Sequence, residues 1–230
     1  MKNYKDILID ADDTIFDFGK CERNAFFLSA RKMGIEVSEN VYSKYSEINK
    51  SLWKAHERKE ITREEIQSKR YTELLRFLGK DDREGENWNR YYVEELANQA
   101  ALFEESETAC RELAKHFRLS VITNGIDFVQ HNRINMISFK EVFSYVFISG
   151  EIGYTKPDVR FFETAAAIIP CFEKDKAVVV GDSVTSDIAG ANNFGVDAIL
   201  IDREDKHGEQ DLQIIARLKD LNELCKYLSN

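Results

Sequence analysis

The feature that most limits how this chain can fold is a set of short apolar runs, each closed by a polar residue. Ile7, Leu8 and Ile9 run into Asp10, and Leu119 to Ile122 run into Thr123, Asn124 and Gly125. Residues 177–180 (Ala, Val, Val, Val) run into Gly181 and Asp182, and residues 198–201 (Ala, Ile, Leu, Ile) run into Asp202. Residues 145–148 read as a further run. The runs are short, β-branched and free of polar alternation, as expected of strands buried on both faces of a parallel sheet. Helical spacing lies between them, with Ala109, Leu113 and Phe117 before one run and Phe161, Phe162, Ala165 and Ile169 before another. Strands alternating with helices imply βαβ units and an α/β fold with a doubly wound, Rossmann-like parallel sheet. Such sheets bind ligands beyond the carboxyl ends of their strands, the edge at which the polar residues fall.

Residues 16–102 break this pattern. They contain no convincing strand run, many Glu and Lys, and apolar spacing of the kind Leu52, Ala55, Ile61 and Ile66. The expected organisation is therefore an α/β core from residues 1–15 and 103–230, with an all-helical cap domain at 16–102 inserted after the first strand. Charge divides the same way: residues 16–100 hold equal numbers of basic and acidic side chains, so the whole net charge of −9 falls on the remainder. That balance argues against a nucleic-acid polymer or an anionic membrane as partner, since phosphate backbones need clustered Lys and Arg. With 11% aromatic residues and 2 prolines, the chain is not expected to be disordered. Cys21, Cys110, Cys171 and Cys225 have no CxxC spacing, and residues 1–10 lack the apolar stretch of a signal peptide. A cytoplasmic protein, monomer or homodimer, without membrane attachment is expected.

Four clusters at run ends carry candidate chemistry. In Asp10-Ala11-Asp12-Asp13-Thr14, residues two apart in an extended segment face one side, so Asp10 and Asp12 can share a pocket, one attacking while the other moves protons. An acidic loop or helix cap explains this cluster equally well when taken alone. Thr123, Asn124 and Gly125 offer a hydroxyl and backbone N–H groups to a phosphate, although Asn-Gly is also an ordinary turn. Lys156, before Pro157, is placed at a helix entrance on the same edge; alone it reads as a surface lysine. Asp182 and Asp187 flank the turn after the most hydrophobic run, and Asp187 alone could be a first-turn helix acid. Taken together the clusters set Asp10, Asp12, Asp182 and Asp187 against one lysine. Carboxylates that close need a cation, and an oxygen-only set with a phosphate ligand selects Mg2+. His116, His131 and His207 have no zinc spacing, and Ser183 lacks the G-x-S-x-G context of a serine hydrolase.

In order and spacing these clusters resemble the motifs of the haloacid dehalogenase-like hydrolase superfamily, over nearly the whole chain, and the insertion resembles its first type of helical cap. That resemblance implies Asp10 as the nucleophile of a phospho-aspartyl intermediate. It implies Asp12 as general acid/base, with its backbone carbonyl on Mg2+. Thr123, Asn124 and Lys156 would hold the phosphoryl group, and Asp10, Asp12, Asp182 and Asp187 would form the metal site. The superfamily's dehalogenases lack the second aspartate, so Asp12 favours phosphoryl transfer. Ala11 departs from the larger apolar residue commoner there, a change of packing rather than chemistry.

A finer resemblance, carried by residues 121–125 with Gln130 and Arg133, by 147–149 and by 155–158, is to the pyrimidine 5'-nucleotidase branch. Residues 49–53 with Arg70 and Tyr71 are similar to that branch too. It implies a small phosphate-ester substrate such as UMP or dTMP. Trp53 and His56, on the expected cap helix, could stack on a base or line the substrate entrance, and packing of Trp53 within the cap with a solvated His56 explains them equally well; Asn49 and Arg70 are substrate-contact candidates on the same terms. The alternatives are a phosphatase of a sugar phosphate or phosphoglycolate, a β-phosphoglucomutase-like enzyme, and a phosphate-binding regulatory protein.

Overall fold

The computed structural model describes residues 3–205, 208 and 211–229; His207 lies outside them. The chain divides into two units, one formed by residues 1–18 and 100–230 and the other by Gly19–Gln99.

The first unit is built on strands β1 (Asp6–Asp10), β2 (Arg118–Thr123), β3 (Phe143–Ile148), β4 (Ala177–Gly181), β5 (Asp197–Ile201) and β6 (Ala216–Leu218). They form one sheet in the order β3-β2-β1-β4-β5-β6, and every neighbouring pair is parallel. This is the α/β, doubly wound arrangement expected from the apolar runs. Alternate residues of each strand feed opposite faces. Ile7, Ile9, Val121, Val178, Val180 and Ile199 pack on one side, against Ala109, Cys110 and Leu113 of α5 (Ser106–Leu113) and Leu221 and Leu224 of α10 (Leu221–Ser229). Leu8, Ile122, Val179, Ala198 and Leu200 pack on the other, against Phe161, Phe162 and Ala165 of α8 (Val159–Ile168) and Ala191 and Phe194 of α9 (Ala189–Phe194). Both faces are covered, which is why the strands carry no polar alternation. Each fully buried Ile, Leu or Val side chain contributes about 1.5–3 kcal/mol. The edge strand β6 has no counterpart among the apolar runs, because its three residues are only partly buried or exposed.

Order reverses about β1, whose neighbours are β2 on one side and β4 on the other. Register there sets Asp10 beside Ile122, and Ile9 beside Val180. The ends of these three strands are thus level, and the residues following them gather at the topological switch point. Further along this edge, β2 leads to α6 (Asp127–Met136), and β3 leads to the short α7 (Ser149–Ile152).

Beyond β1 the chain turns sharply. Ile15 and Phe16 donate backbone hydrogen bonds to the Ala11 carbonyl, and the Asp13 N–H donates to the Phe16 carbonyl. Asp13 takes φ +58°, a left-handed conformation that Asp tolerates better than most residues, and its carboxylate accepts from the Phe18 N–H. Residues 16 and 102 then pair as an antiparallel bridge, reinforced by Asp17 N–H to the Ala101 carbonyl and Ser106 Oγ to the Ile15 carbonyl.

The second unit is all-helical, with α1 (Phe18–Lys32), α2 (Glu39–Glu57), α3 (Arg63–Phe77) and α4 (Gly85–Ala97). A capping box opens α3: Thr62 accepts from the Glu65 N–H, and the Glu65 carboxylate accepts from the Thr62 N–H. Gly34 and Gly79, both at φ +66°, supply the left-handed residues that end α1 and α3. The interior is aromatic: Phe26, Tyr45, Tyr71, Trp88 and Tyr92 are fully buried and in mutual ring contact, and Trp88 Nε1 donates to Ser29 Oγ. Among the described residues no helix is long and apolar enough to cross a membrane.

Candidate active site

All four sequence clusters meet through Lys156. Its ammonium is buried and donates to Asp10 Oδ1 at 2.5 Å, Asp187 Oδ1 at 2.6 Å and the Ile122 carbonyl at 3.0 Å. Asn124 fixes the backbone of that lysine in both directions, its Nδ2 donating to the Lys156 carbonyl and its Oδ1 accepting from the Lys156 N–H. The Asn124 carboxamide is thus engaged with Lys156 rather than turned to a ligand. The Lys156–Pro157 peptide is cis. The following helix begins at Val159 rather than at Pro157, because the Asp158 side chain caps it by accepting from the Arg160 N–H.

Asp187 reaches the lysine from a π turn (Val184–Ile188) that follows β4, in which the Ile188 N–H reaches back to the Ser183 carbonyl. The widened turn swings Asp187 back toward the strand end, where its Oδ2 accepts from the Ser183 N–H. Gly181 makes this approach available: a Cβ there would lie 2.2 Å from Asp187 Oδ2. Gly125 does the same for Gln130, whose Nε2 would lie 2.1 Å from an added Cβ.

Asp10, Asp182 and Asp187 each place a carboxylate oxygen within 4.8 Å of the others. Burial, followed by the nearby Asp10 and Asp187 carboxylates, raises the Asp182 carboxyl well above the usual range. Burial likewise raises Asp10, with Asp187 and Asp12 adding to it and Lys156 opposing it. For Lys156, burial alone would lower the ammonium, but the adjoining Asp10 and Asp187 carboxylates outweigh it and raise it. Three carboxylates facing one ammonium leave negative charge uncompensated. An oxygen-only donor set in that condition fits a small hard divalent cation.

Asp12 does not share the lysine. Its Oδ1 accepts from Arg133 Nη1 at 2.5 Å, and its Oδ2 accepts from Gln130 Nε2 at 2.6 Å. The same Gln130 nitrogen reaches Thr123 Oγ1 at 3.2 Å, and Thr123 Oγ1 also accepts from the Gly125 N–H. Gln130 and Arg133 were legible only as part of a family resemblance. Their bonds to Asp12 span more than a hundred residues and leave no local spacing signal.

In the helical unit, Asn49 and Arg70 come together but are buried inside it. Asn49 Nδ2 donates to Glu22 Oε1 at 2.7 Å, Arg70 Nε donates to Asn89 Oδ1 at 2.7 Å, and the guanidinium lies over the Tyr92 ring. A signal for this was available: Asn49 falls between Tyr45, Ile48 and Leu52 on the apolar stripe of α2. Trp53 stays partly exposed, edge-on to His56, whose Nδ1 is 3.0 Å from the Ile61 carbonyl.

Glu22 was not foreseen. Burial raises its carboxyl, while hydrogen bonds from Asn49 and Tyr42 oppose the shift. A carboxyl raised in the folded state contributes its full stability below its unfolded pKa and loses it as pH rises through the folded value. Glu22→Gln should therefore gain stability relative to the parent as pH goes from about 4 to about 8, read as the difference in thermal midpoints. A difference that is flat or moves the other way would contradict an ionisation penalty at Glu22.

A parallel sheet wound in this order, with carboxylates and a lysine meeting at its carboxyl edge, defines a doubly wound α/β protein with an acid-rich site at the switch point of its sheet. The family model for haloacid dehalogenase-like hydrolases matches residues 4–195, and the chain belongs to that family. It is 28% identical over 229 residues to the HAD-hydrolase YfnB of Bacillus subtilis, covering 100% of this chain and 97% of YfnB. A crystal structure of YfnB bound to magnesium superposes with a TM-score of 0.94 over 100% of both chains. The chain is 32% identical to the pyrimidine 5'-nucleotidase PynA of Streptococcus pneumoniae, covering 85% of this chain and 83% of PynA. It is 24% identical to the pyrimidine 5'-nucleotidase YjjG of Escherichia coli, covering 96% and 98%.

Proposed function

We propose that this hydrolase is a Mg2+-dependent phosphatase of small phosphate monoesters, acting on pyrimidine nucleoside monophosphates such as UMP or dTMP in the cytoplasm. The observation that carries the reaction class is Asp10 at the end of β1, bonded to buried Lys156, with a second carboxylate two residues on. The substrate class is supported by the similarity to PynA and YjjG.

Asp10 attacks phosphorus, and the bond from phosphorus to the ester oxygen breaks as the aspartyl phosphate forms. Asp12 gives its proton to the departing oxygen. It then takes a proton from water, whose oxygen attacks the aspartyl phosphate, releasing inorganic phosphate and regenerating Asp10. Thr123 holds a phosphoryl oxygen, Lys156 joins it by exchanging one of its carboxylate bonds for the phosphoryl group, and Asn124 keeps Lys156 in place. The carboxylates of Asp10, Asp182 and Asp187, with the Asp12 carbonyl, would hold the Mg2+, which supplies charge neutralisation to the phosphoryl group. Of the substrate-contact candidates on the helical unit, Trp53 is the one with an accessible side chain, and it is the contact carried into this reading.

The test is phosphate release across nucleoside monophosphates, sugar phosphates and phosphoglycolate, with Mg2+ and with EDTA. Pyrimidine nucleotides should rank among the best substrates, and EDTA should remove activity that Mg2+ restores. A ranking led by sugar phosphates overturns the substrate class, and full activity in the metal-stripped protein overturns the metal.

A further inference from the structure

Asp12 sits on a tight turn outside any regular element, and its side chain is a quarter exposed. Nothing in that local backbone fixes where the carboxylate points. Orientation comes instead from α6, which brings up Gln130 and Arg133 three residues apart on one face. Each carboxylate oxygen receives one donor, Oδ1 from Arg133 and Oδ2 from Gln130. Two donors on two oxygens remove the rotation that a single bond would leave.

The pair is itself held in place. The Arg133 side chain is fully buried, with its guanidinium 4.3 Å from the centre of the Phe16 ring and 5.8 Å from that of Phe18. Gln130 fills the space that Gly125 leaves by lacking a Cβ, and its Nε2 ties Asp12 to Thr123. A fully buried arginine is a costly way to stabilise a turn, since desolvation offsets much of the attraction to its partner.

We propose that Gln130 and Arg133 are positioning residues for proton transfer by Asp12, holding its carboxylate in line with the departing ester oxygen. This rests on the reading of Asp12 as general acid in a phosphatase. In that step the bond from phosphorus to the ester oxygen breaks, the oxygen keeps the electron pair, and the Asp12 proton neutralises it.

The test uses leaving-group dependence in the full-length protein. An alkyl ester needs the proton, whereas p-nitrophenyl phosphate releases a stable phenolate without it. Because kcat/KM reports only as far as departure of the leaving group, later hydrolysis of the aspartyl phosphate does not blur the comparison. Gln130→Leu and Arg133→Lys should each lower kcat/KM for UMP, or the fastest alkyl ester of the substrate screen, by about 10–100-fold. For p-nitrophenyl phosphate the loss should stay within about threefold, with a burst of p-nitrophenolate before the slower steady state. If one variant does not fold, Gln130→Asn, too short to reach Asp12, is expected to give the same selective loss. Asp12→Asn is the reference. If Asp12→Asn discriminates between the esters and the α6 variants lose both equally or lose neither, the positioning role is overturned while the acid role stands. If Asp12→Asn itself loses both esters equally, the acid role fails and the positioning role with it.

Discussion

Asp10→Asn should reduce phosphate-ester turnover on the order of 10⁴-fold or more while leaving the chain folded. An amide keeps the shape of the side chain but cannot attack phosphorus. The change also removes one of three carboxylates crowded at the strand ends, and Lys156 keeps Asp187 as a partner at 2.6 Å. Stability should therefore hold or rise, which separates loss of chemistry from loss of fold. The covalent step has its own readout. Parent protein quenched in acid during turnover of a 32P-labelled ester should retain labelled phosphate, and Asp10→Asn should retain none. Near-parental hydrolysis in the variant, or turnover in the parent with no protein-bound phosphate, would sink the nucleophile assignment.

Lys156→Met is expected to have the largest effect on stability, a loss of about 3–5 kcal/mol near neutral pH. Methionine matches the length of the lysine stem but leaves Asp10 and Asp187 buried against each other without their shared cation. The sign of the pH dependence follows from the same charges. The Asp10 and Asp182 carboxyls are already raised by burial and by their acidic neighbours, and removing the ammonium raises them further. Groups raised in the folded state favour folding below their unfolded pKa and lose that contribution as pH climbs. The deficit of Lys156→Met should thus narrow on acidification toward about pH 5, as measured by denaturant unfolding of both proteins. A deficit that stays constant or widens would mean that the lost interactions are not those with the carboxylates.

The sheet was legible because its central strands are buried on both faces and had to be written as unbroken apolar runs. Strand β6 was not, since a short edge strand needs no such run. Asp10, Thr123 and Asp182 could be found because each ends or directly follows a strand, so position along the chain already implies position on the edge. Asp187 could be named but not placed, because the π turn that points it at Lys156 has no spacing signature. The tether on Asp12 was invisible for a different reason: its partners lie 118 and 121 residues away, and nothing local distinguishes a glutamine and an arginine on α6 from surface residues. The interior of the helical unit hid Glu22, Asn49 and Arg70 in the same manner, since polar side chains that satisfy one another can occupy an apolar stripe.

The antiparallel bridge between residues 16 and 102 bears on how the chain finds this structure. β1 pairs with β2 across a gap of more than a hundred residues, Asp10 lying beside Ile122. Closing a floppy loop of that length delays the central sheet contact, as long-range pairings generally do. Were the helices of residues 19–99 to form first, with the chain ends clasped at residues 16 and 102, the loop left to close would shrink to its flanks. On the logarithmic scaling of loop entropy, the saving is about 1 kcal/mol. An inserted unit that formed first would in this way splint assembly of the sheet, an effect set by where the chain leaves and rejoins the core and independent of any substrate.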